Sequence, residues 1–198
     1  MVISQGNLSL KIVTYLTYSK KVTIVYVKFC RYNKNTEKVT VVAKKENVMM
    51  RLEELKDRLE IKELVDVFAN LADMKDAKSQ GDLFLPDGTL EFQMGFDGEV
   101  KNIVGRESLV TAFAATIEPC VSVYHINGQH TIELNEDMTE ANGVAYCVAT
   151  LVNDVDGKRI VTDNKVRYTD EYSKVDGKWY IKKRRTTFLI SEKHELAQ

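Results

Sequence analysis

Two of the chain's three histidines lie within the stretch Ser122 to Leu134, SVYHINGQHTIEL, which reads as one long strand. Side chains of a regular strand alternate between faces, so Val123, His125, Asn127 and Gln129 share one face and Tyr124, Ile126 and His130 the other. An inward face carrying an imidazole and two carboxamides must satisfy their hydrogen bonds, and a cavity holding water or a ligand does so economically. An imidazole in such a cavity can take a proton from carbon and return it elsewhere. Asn127 and Gln129 could then donate to a developing enolate, a contribution of up to ~3 kcal/mol per donor. The competing reading of His125 is a core histidine satisfied by its neighbours. His130 is expected on the far face, packed or in solvent, and His194 belongs to the tail. Histidines this scattered do not make a metal site, and no metal or other cofactor is expected.

The elements around this stretch follow from hydrophobic period. From Met49, Leu52, Leu55 and Leu59 step at helical spacing and Leu64, Phe68 and Leu71 continue the stripe, while the intervening positions are charged. A short second helix is predicted over Asp76 to Phe84, ended by the turn residues Leu85-Pro86-Asp87-Gly88. Thr89 to Phe96 and Glu99 to Val104 form a hairpin about Asp97-Gly98. Ser108 caps a third helix with the stripe Leu109, Ala112, Phe113 and Thr116, and Pro119 stops it. The period then changes to two, giving strands over Ser122 to Leu134, Ala141 to Asp154, Arg159 to Val175 and Lys178 to Ile190, joined by turns short enough to pair neighbours antiparallel. Three helices followed by a long meander is an α+β arrangement, with helices packed on one face of a curved sheet. On the second long strand Gly143, Ala145, Cys147 and Ala149 share a face, a row of small side chains that admits either close helix packing or a ligand.

The chain has 198 residues, enough for one domain with a sizeable core and an extension. Residues 1–48 carry nine Lys or Arg against two Glu, and the remainder carries a net charge of −8, so the total of −1 hides a split. Residues 1–48 read as a basic extension, disordered or adventitious, residues 49–191 as the α+β domain and residues 192–198 as a tail. Cys30, Cys120 and Cys147 are odd in number without CxxC spacing and read as reduced, mostly structural thiols. No apolar run approaches the roughly 20 residues that cross a bilayer, and the first residues lack the order of a signal peptide, so the expected location is the cytoplasm, with no membrane partner. The run Lys182-Lys183-Arg184-Arg185 splits two by two across a strand, too narrow a stripe for nucleic acid. Either Arg184 or Arg185 could instead point inward and pair with an anionic group of a ligand.

The ordered set Glu60-Ile61-Lys62-Glu63-Leu64, Leu71-Ala72-Asp73, Leu83 to Phe92, Gly105-Arg106-Glu107, Tyr124-His125 and Asp176 to Arg184 resembles the SnoaL-like branch of the nuclear transport factor 2-like superfamily. The resemblance covers about Met49 to Ile190. It implies a cone-shaped α+β barrel: a curved, mainly antiparallel sheet with about three helices packed over a pocket. The superfamily includes dehydratases, isomerases, cyclases and carriers without catalysis, so fold alone does not decide activity. In the dehydratases a Tyr and an Asp of the first helix work with a His of the strand after the third helix. By position the Asp is Asp73 and the His is His125. The tyrosine position holds Phe68, an acidic position falls near Ala149 and a basic one near Phe188, so three polar positions are not kept. Asp73 also has a reading as a cap for the helix near Asp76.

The resemblance and the residues together imply a lyase or isomerase that moves protons with Asp73 and His125 on a hydrophobic, hydroxylated or carbonyl-bearing ring compound. Phe68, Phe92, Met94 and Phe113, with Cys147 and Ala149, would line the pocket, and Asn127, Gln129 and Arg184 would supply its polar contacts. The alternative is a module of the same fold that binds a hydrophobic ligand or dimerises without chemistry. The expected partners are a small hydrophobic molecule and a second copy of the chain, as a homodimer or higher homo-oligomer.

Overall fold

In the computed structural model, residues 11–18, 21–28 and 45–196 are described, with side chains from residue 52 onward. Most of the expected extension over residues 1–48, including Cys30, lies outside them. The chain divides into two units, Met1–Arg51 and Leu52–Gln198. In the first, strands β1 (Lys11–Tyr18) and β2 (Lys21–Lys28) pair antiparallel, from Lys11 opposite Lys28 to Tyr18 opposite Lys21. Helix α1 (Lys45–Asp73) begins before the boundary.

The second unit follows the change of period read from the sequence. After α1 come α2 (Ala77–Asp82), β3 (Phe84–Met94), β4 (Lys101–Val104), α3 (Arg106–Ile117) and four long strands: β5 (Ser122–Leu134), β6 (Glu140–Val155), β7 (Lys158–Val175) and β8 (Lys178–Glu195). They form one curved, unclosed, six-stranded sheet in the order β4-β3-β8-β7-β6-β5, antiparallel throughout except where β3 runs parallel to β8. The architecture is the expected α+β cone. Strand β8 continues five residues past the predicted end at Ile190, paired with β7 as far as Ile160 opposite Glu195.

Local chemistry sets the helix ends. Asp76, not Asp73, caps α2: its carboxylate accepts from the Ser79 N–H at 2.9 Å, which leaves Asp73 free for another partner. Helix α3 starts three residues earlier than predicted. Its N-cap is Gly105 at φ 89°, a conformation that favours glycine, and Ser108 makes no cap.

The stripe predicted for α1 is only half right. Leu52, Leu55 and Leu59 are more than half exposed, whereas Asp57, Ile61, Leu64, Val65, Phe68 and Ala72 turn inward. The cause is Asp57, buried because its Oδ1 accepts from Lys174 Nζ at 2.6 Å and from the Trp179 indole N–H at 3.0 Å. A carboxylate with one oxygen so paired, Oδ2 having no partner among the described residues, can lie on the packed face, and the leucines rotate outward. Further along, Phe68, Phe84 and Phe113 join α1, β3 and α3, with ring centroids 5.5 to 6.2 Å apart. Among the described residues no helix is long and apolar enough to cross a membrane, which says nothing of a β-barrel.

Candidate active site

Helix α1 runs beside β5, and three ties fix their relation. Arg58 donates to the Ile132 carbonyl, Asn127 Nδ2 donates to the Val65 carbonyl at 3.2 Å and to Asp66 Oδ1 at 3.1 Å, and Asp73 meets His125. The last tie is double. Asp73 Oδ1 lies 2.7 Å from His125 Nδ1, and Asp73 Oδ2 accepts the backbone N–H of His125 at 3.2 Å. The carboxylate therefore holds both the ring and the strand. A carboxylate only accepts, so Nδ1 carries a proton, and in the neutral form of the ring Nε2 keeps its lone pair. The His125 side chain is 10% exposed, and it lines a cavity of about 580 Å³.

That cavity lies between the helices and the concave sheet. Phe68, Phe92, Phe113 and Ala149 line it, as His125 does. The other expected ligand contacts do not. Met94 ends β3 and is 60% exposed. Asn127 is the strut to α1 described above. Cys147 is buried behind the lining, its Sγ 3.4 Å from the Val148 carbonyl, and burial pushes its thiol up. Gln129 is displaced by an irregularity in β5: the register to β6 shifts between Asn127 and His130, so Gly128 and Gln129 are both exposed. A bulge of this kind reverses the alternation beyond it. His130, expected on the far face, consequently points inward.

Arg184 is fully buried, and two of its three nitrogens are committed, while Nη1 has no partner among the described residues. Its Nε and Nη2 donate to the two oxygens of Asp170 at 3.0 and 2.7 Å, while its guanidinium lies 4.5 Å from the centroid of Phe68 and 4.1 Å from that of Tyr168. Burial alone would pull its pKa down; the Asp170 charge and hydrogen bonds outweigh that and raise it. A ligand anion would have to compete with Asp170, so pairing by Arg184 is not what the geometry offers. Arg185 faces the other way, 2.6 Å from Glu91, while Lys182 and Lys183 pair with Glu140 and Glu91. Each cation of the basic run thus has a carboxylate partner.

The inward His130 joins the same buried network. Tyr172 donates to Asp170 Oδ2 at 2.7 Å, so the His130 Nε2 lying 3.3 Å from that hydroxyl must donate to it, which leaves Nδ1 buried without a partner. Gly143, across from Asp170 in register, has no room for a side chain: a Cβ would come 2.8 Å from the Tyr172 ring and 2.9 Å from His130 Nε2. The row of small residues on β6 therefore serves both uses considered for it, close packing at Gly143 and cavity at Ala149.

Burial lowers the His130 pKa from its ordinary 6.5; Arg184 and Lys62 lower it too, while Asp170 and Asp66 oppose. The unfolded chain binds this proton more readily than the folded one, so stability is complete above about pH 6.5 and falls as the pH drops toward the folded value. Urea unfolding at about pH 7.5 and about pH 5.5 is expected to show an acid-side loss that shrinks in His130→Gln. An equal loss in both proteins would remove His130 as its source.

Sequence reasoning missed the polar lining. Asn164, Tyr168, Thr186 and Gln80 all face the cavity. Asn164 was legible in principle, because alternation along β7 puts it on one face with Val166, Tyr168 and Asp170. Register places it in line with the histidine: His125 is opposite Ala149, and Ala149 is opposite Asn164. Two strand spacings set their Cα atoms about 10 Å apart, with only a methyl group between. The Tyr168 phenol is held protonated well above its ordinary value, by burial first and by Cys147 next. Among the described residues no cluster of His, Cys, Asp or Glu could hold a metal ion.

The six-stranded cone, with its Asp–His pair beside an apolar cavity that His125 lines, is an α+β architecture. The chain belongs to the SnoaL-like domain family, which matches residues 53–185. Solved structures agree in fold. A protein of Novosphingobium aromaticivorans provisionally named a scytalone dehydratase superposes with a TM-score of 0.60 at 19% identity, over 73% of this chain and 91% of that one. A hexachlorocyclohexane dehydrochlorinase gives 0.59 at 18%, over 74% and 93%. A Xanthomonas campestris protein provisionally named a calcium/calmodulin-dependent protein kinase II association domain gives 0.52 at 26%, over 66% and 86%. The chain matches none of the curated proteins.

Proposed function

We propose that the protein is a cofactor-independent lyase or isomerase that moves protons within a hydrophobic, hydroxylated or carbonyl-bearing ring compound. The observation that carries this reading is the 2.7 Å contact between Asp73 and His125 at the edge of the cavity. His125 Nε2 removes a proton α to the carbonyl, and Asp73 steadies the imidazolium that forms. Asn164 and Tyr168 donate to the developing enolate oxygen. The imidazolium then returns its proton to a leaving hydroxyl, which departs as water with its bonding electron pair, or to another carbon, which completes an isomerisation. Neither course needs an oxidant or a reductant, since elimination adds only the cleavage of the carbon–oxygen bond to the proton transfers. The printed names of two structural neighbours, a dehydratase and a dehydrochlorinase, lend the elimination course support.

Two further parts of the reading are proposals of the same standing. The protein acts in the cytoplasm, and it works as a homodimer or higher homo-oligomer, supported by exposed Tyr124, Ile126 and Ile190 on the long strands and by a neighbour named an association domain. A non-catalytic carrier of hydrophobic ligands is the second reading. Phe68 favours it, standing where the family's dehydratases carry a tyrosine. Deuterium exchange separates the two: uncharged cyclic ketones incubated with the protein in D₂O gain α-deuterium faster than buffer allows if His125 is a base. Binding without exchange would leave the carrier.

A further inference from the structure

The sheet has a second face, turned away from the cavity, and register lays its side chains out in rows that cross the four long strands. One row reads Glu133, Asn142, Glu171 and Lys183 from β5 to β8, and the next reads Thr131, Val144, Thr169 and Arg185. Past the bulge come Ile126, Val148, Lys165 and Ile190, then Tyr124, Thr150, Asp163 and Glu192. With the row of Tyr146 and Arg167 between them, these make roughly 20 positions, close to the roughly 20–30 residues that each side of a stable interface contributes. Tyr124, Ile126 and Ile190 are more than half exposed, and covering their apolar surface is favourable. Two hollows of about 380 and 360 Å³ open on this face, one beside Glu133 and Lys183 and the other beside Ile126 and Val148.

Charge on this face is divided by strand. Lys183 and Arg185, on β8, share one carboxylate, that of Glu91, at 2.8 and 2.6 Å. Glu133 on β5 and Glu171 on β7 are exposed and make no ion pair among the described residues. Cation is therefore in excess at β8 and carboxylate at β5 and β7. A face so divided complements a copy of itself turned to bring β5 over β8.

We propose that two copies of the chain pack through this face around a two-fold axis that runs along the strands, between β6 and β7. The inference rests on the homo-oligomer reading above and adds the face, the axis and the pairs. Such a rotation keeps each row in register, laying β5 over the partner's β8 and β6 over the partner's β7. Glu133 then meets the partner's Lys183, Asn142 the partner's Glu171, and Ile126 the partner's Ile190. In none of the rows do like charges meet. A two-fold axis across the strands instead sets Glu171 against the partner's Asp163 and Arg185 against the partner's Ile190. The contact is isologous, so each pair occurs twice.

Sedimentation velocity on the full chain, with the charges of one pair exchanged, tests it. The wild type is expected to sediment as a dimer. Glu133→Lys and Lys183→Glu, each alone, are expected to weaken the dimer by at least about tenfold, since each turns two attractive contacts into two repulsive ones. Mixing the two variants in equal amounts restores association, because their heterodimer again opposes unlike charges at both contacts. The double variant Glu133→Lys with Lys183→Glu dimerises as the wild type does. Restoration on mixing also excludes misfolding as the cause of either loss. Single variants that associate as the wild type does, or a loss that neither mixing nor the double variant repairs, overturn this inference and leave the homo-oligomer reading standing. A wild-type assembly of three copies does the same, since a two-fold contact closes in pairs. A monomeric wild type at the highest concentration reached counts against the homo-oligomer reading itself and carries the inference with it.

Discussion

His125→Ala is expected to lower protein-catalysed α-proton exchange by ~10²–10⁴-fold, the range over which a positioned general base contributes, while the affinity for the same ketone changes little. The asymmetry follows from geometry. His125 is one side chain at the edge of a cavity whose walls are mostly apolar, and apolar contact with Phe68, Phe92 and Phe113 survives its removal. Asp73→Asn is expected to fall in the same direction by a smaller factor. An Asn side chain turned to accept from the His125 backbone N–H presents its amide N–H to the ring, which favours the tautomer with the proton on Nε2 and disables the base. Loss of ligand affinity in step with loss of exchange, for either variant, would point to a collapsed pocket. Full exchange activity in His125→Ala would place the base elsewhere.

The second large effect concerns stability. Arg184→Met is expected to cost ~3–5 kcal/mol in urea unfolding, because it leaves Asp170 buried without its counter-charge. Both partners are essentially inaccessible, at 0% and 1% side-chain exposure, so solvent screening does little to soften the loss. The Tyr172 hydroxyl still donates to Asp170, and the packing of the guanidinium against Phe68 and Tyr168 is replaced in part by the thioether. The pair itself need not be net favourable. In the double variant Arg184→Met with Asp170→Leu most of the stability is expected to return, since the desolvation cost disappears with both charges. A double variant no more stable than Arg184→Met alone would show that shape, not charge, governs this part of the core.

These two effects arise at sites that the sequence revealed unequally. Period and turn chemistry were sufficient for the order of elements and for the four long strands, because a strand that buries one face must alternate, and the alternation is local. His125 stood out on the polar face of its strand, and Asp73 was singled out through resemblance. Their meeting depends on α1 lying along β5, which is set by the Asn127 and Arg58 ties and by no spacing within either segment. What escaped was every feature governed by a partner distant in sequence. The bulge before His130 reversed the faces of half a strand. Asp57 looked like a solvated charge until Lys174 and Trp179 enclosed it, and with it the inward face of α1 moved off Leu55 and Leu59. Arg184 looked like a ligand contact because arginine suits anions, and its actual anion is Asp170 on the neighbouring strand, directly across in register. Buried charges are the least legible residues in a single chain, since composition marks them as surface.

The proposed chemistry requires a neutral His125 with its proton on Nδ1 and its lone pair on Nε2 toward the cavity. Long-range ¹H–¹⁵N correlation on protein labelled at histidine reads that tautomer directly. The expected spectrum at about pH 8 shows His125 Nδ1 protonated and Nε2 bare, with the pattern lost or inverted in Asp73→Asn. A His125 ring that carries its proton on Nε2, or one indifferent to the substitution of Asp73, would contradict it.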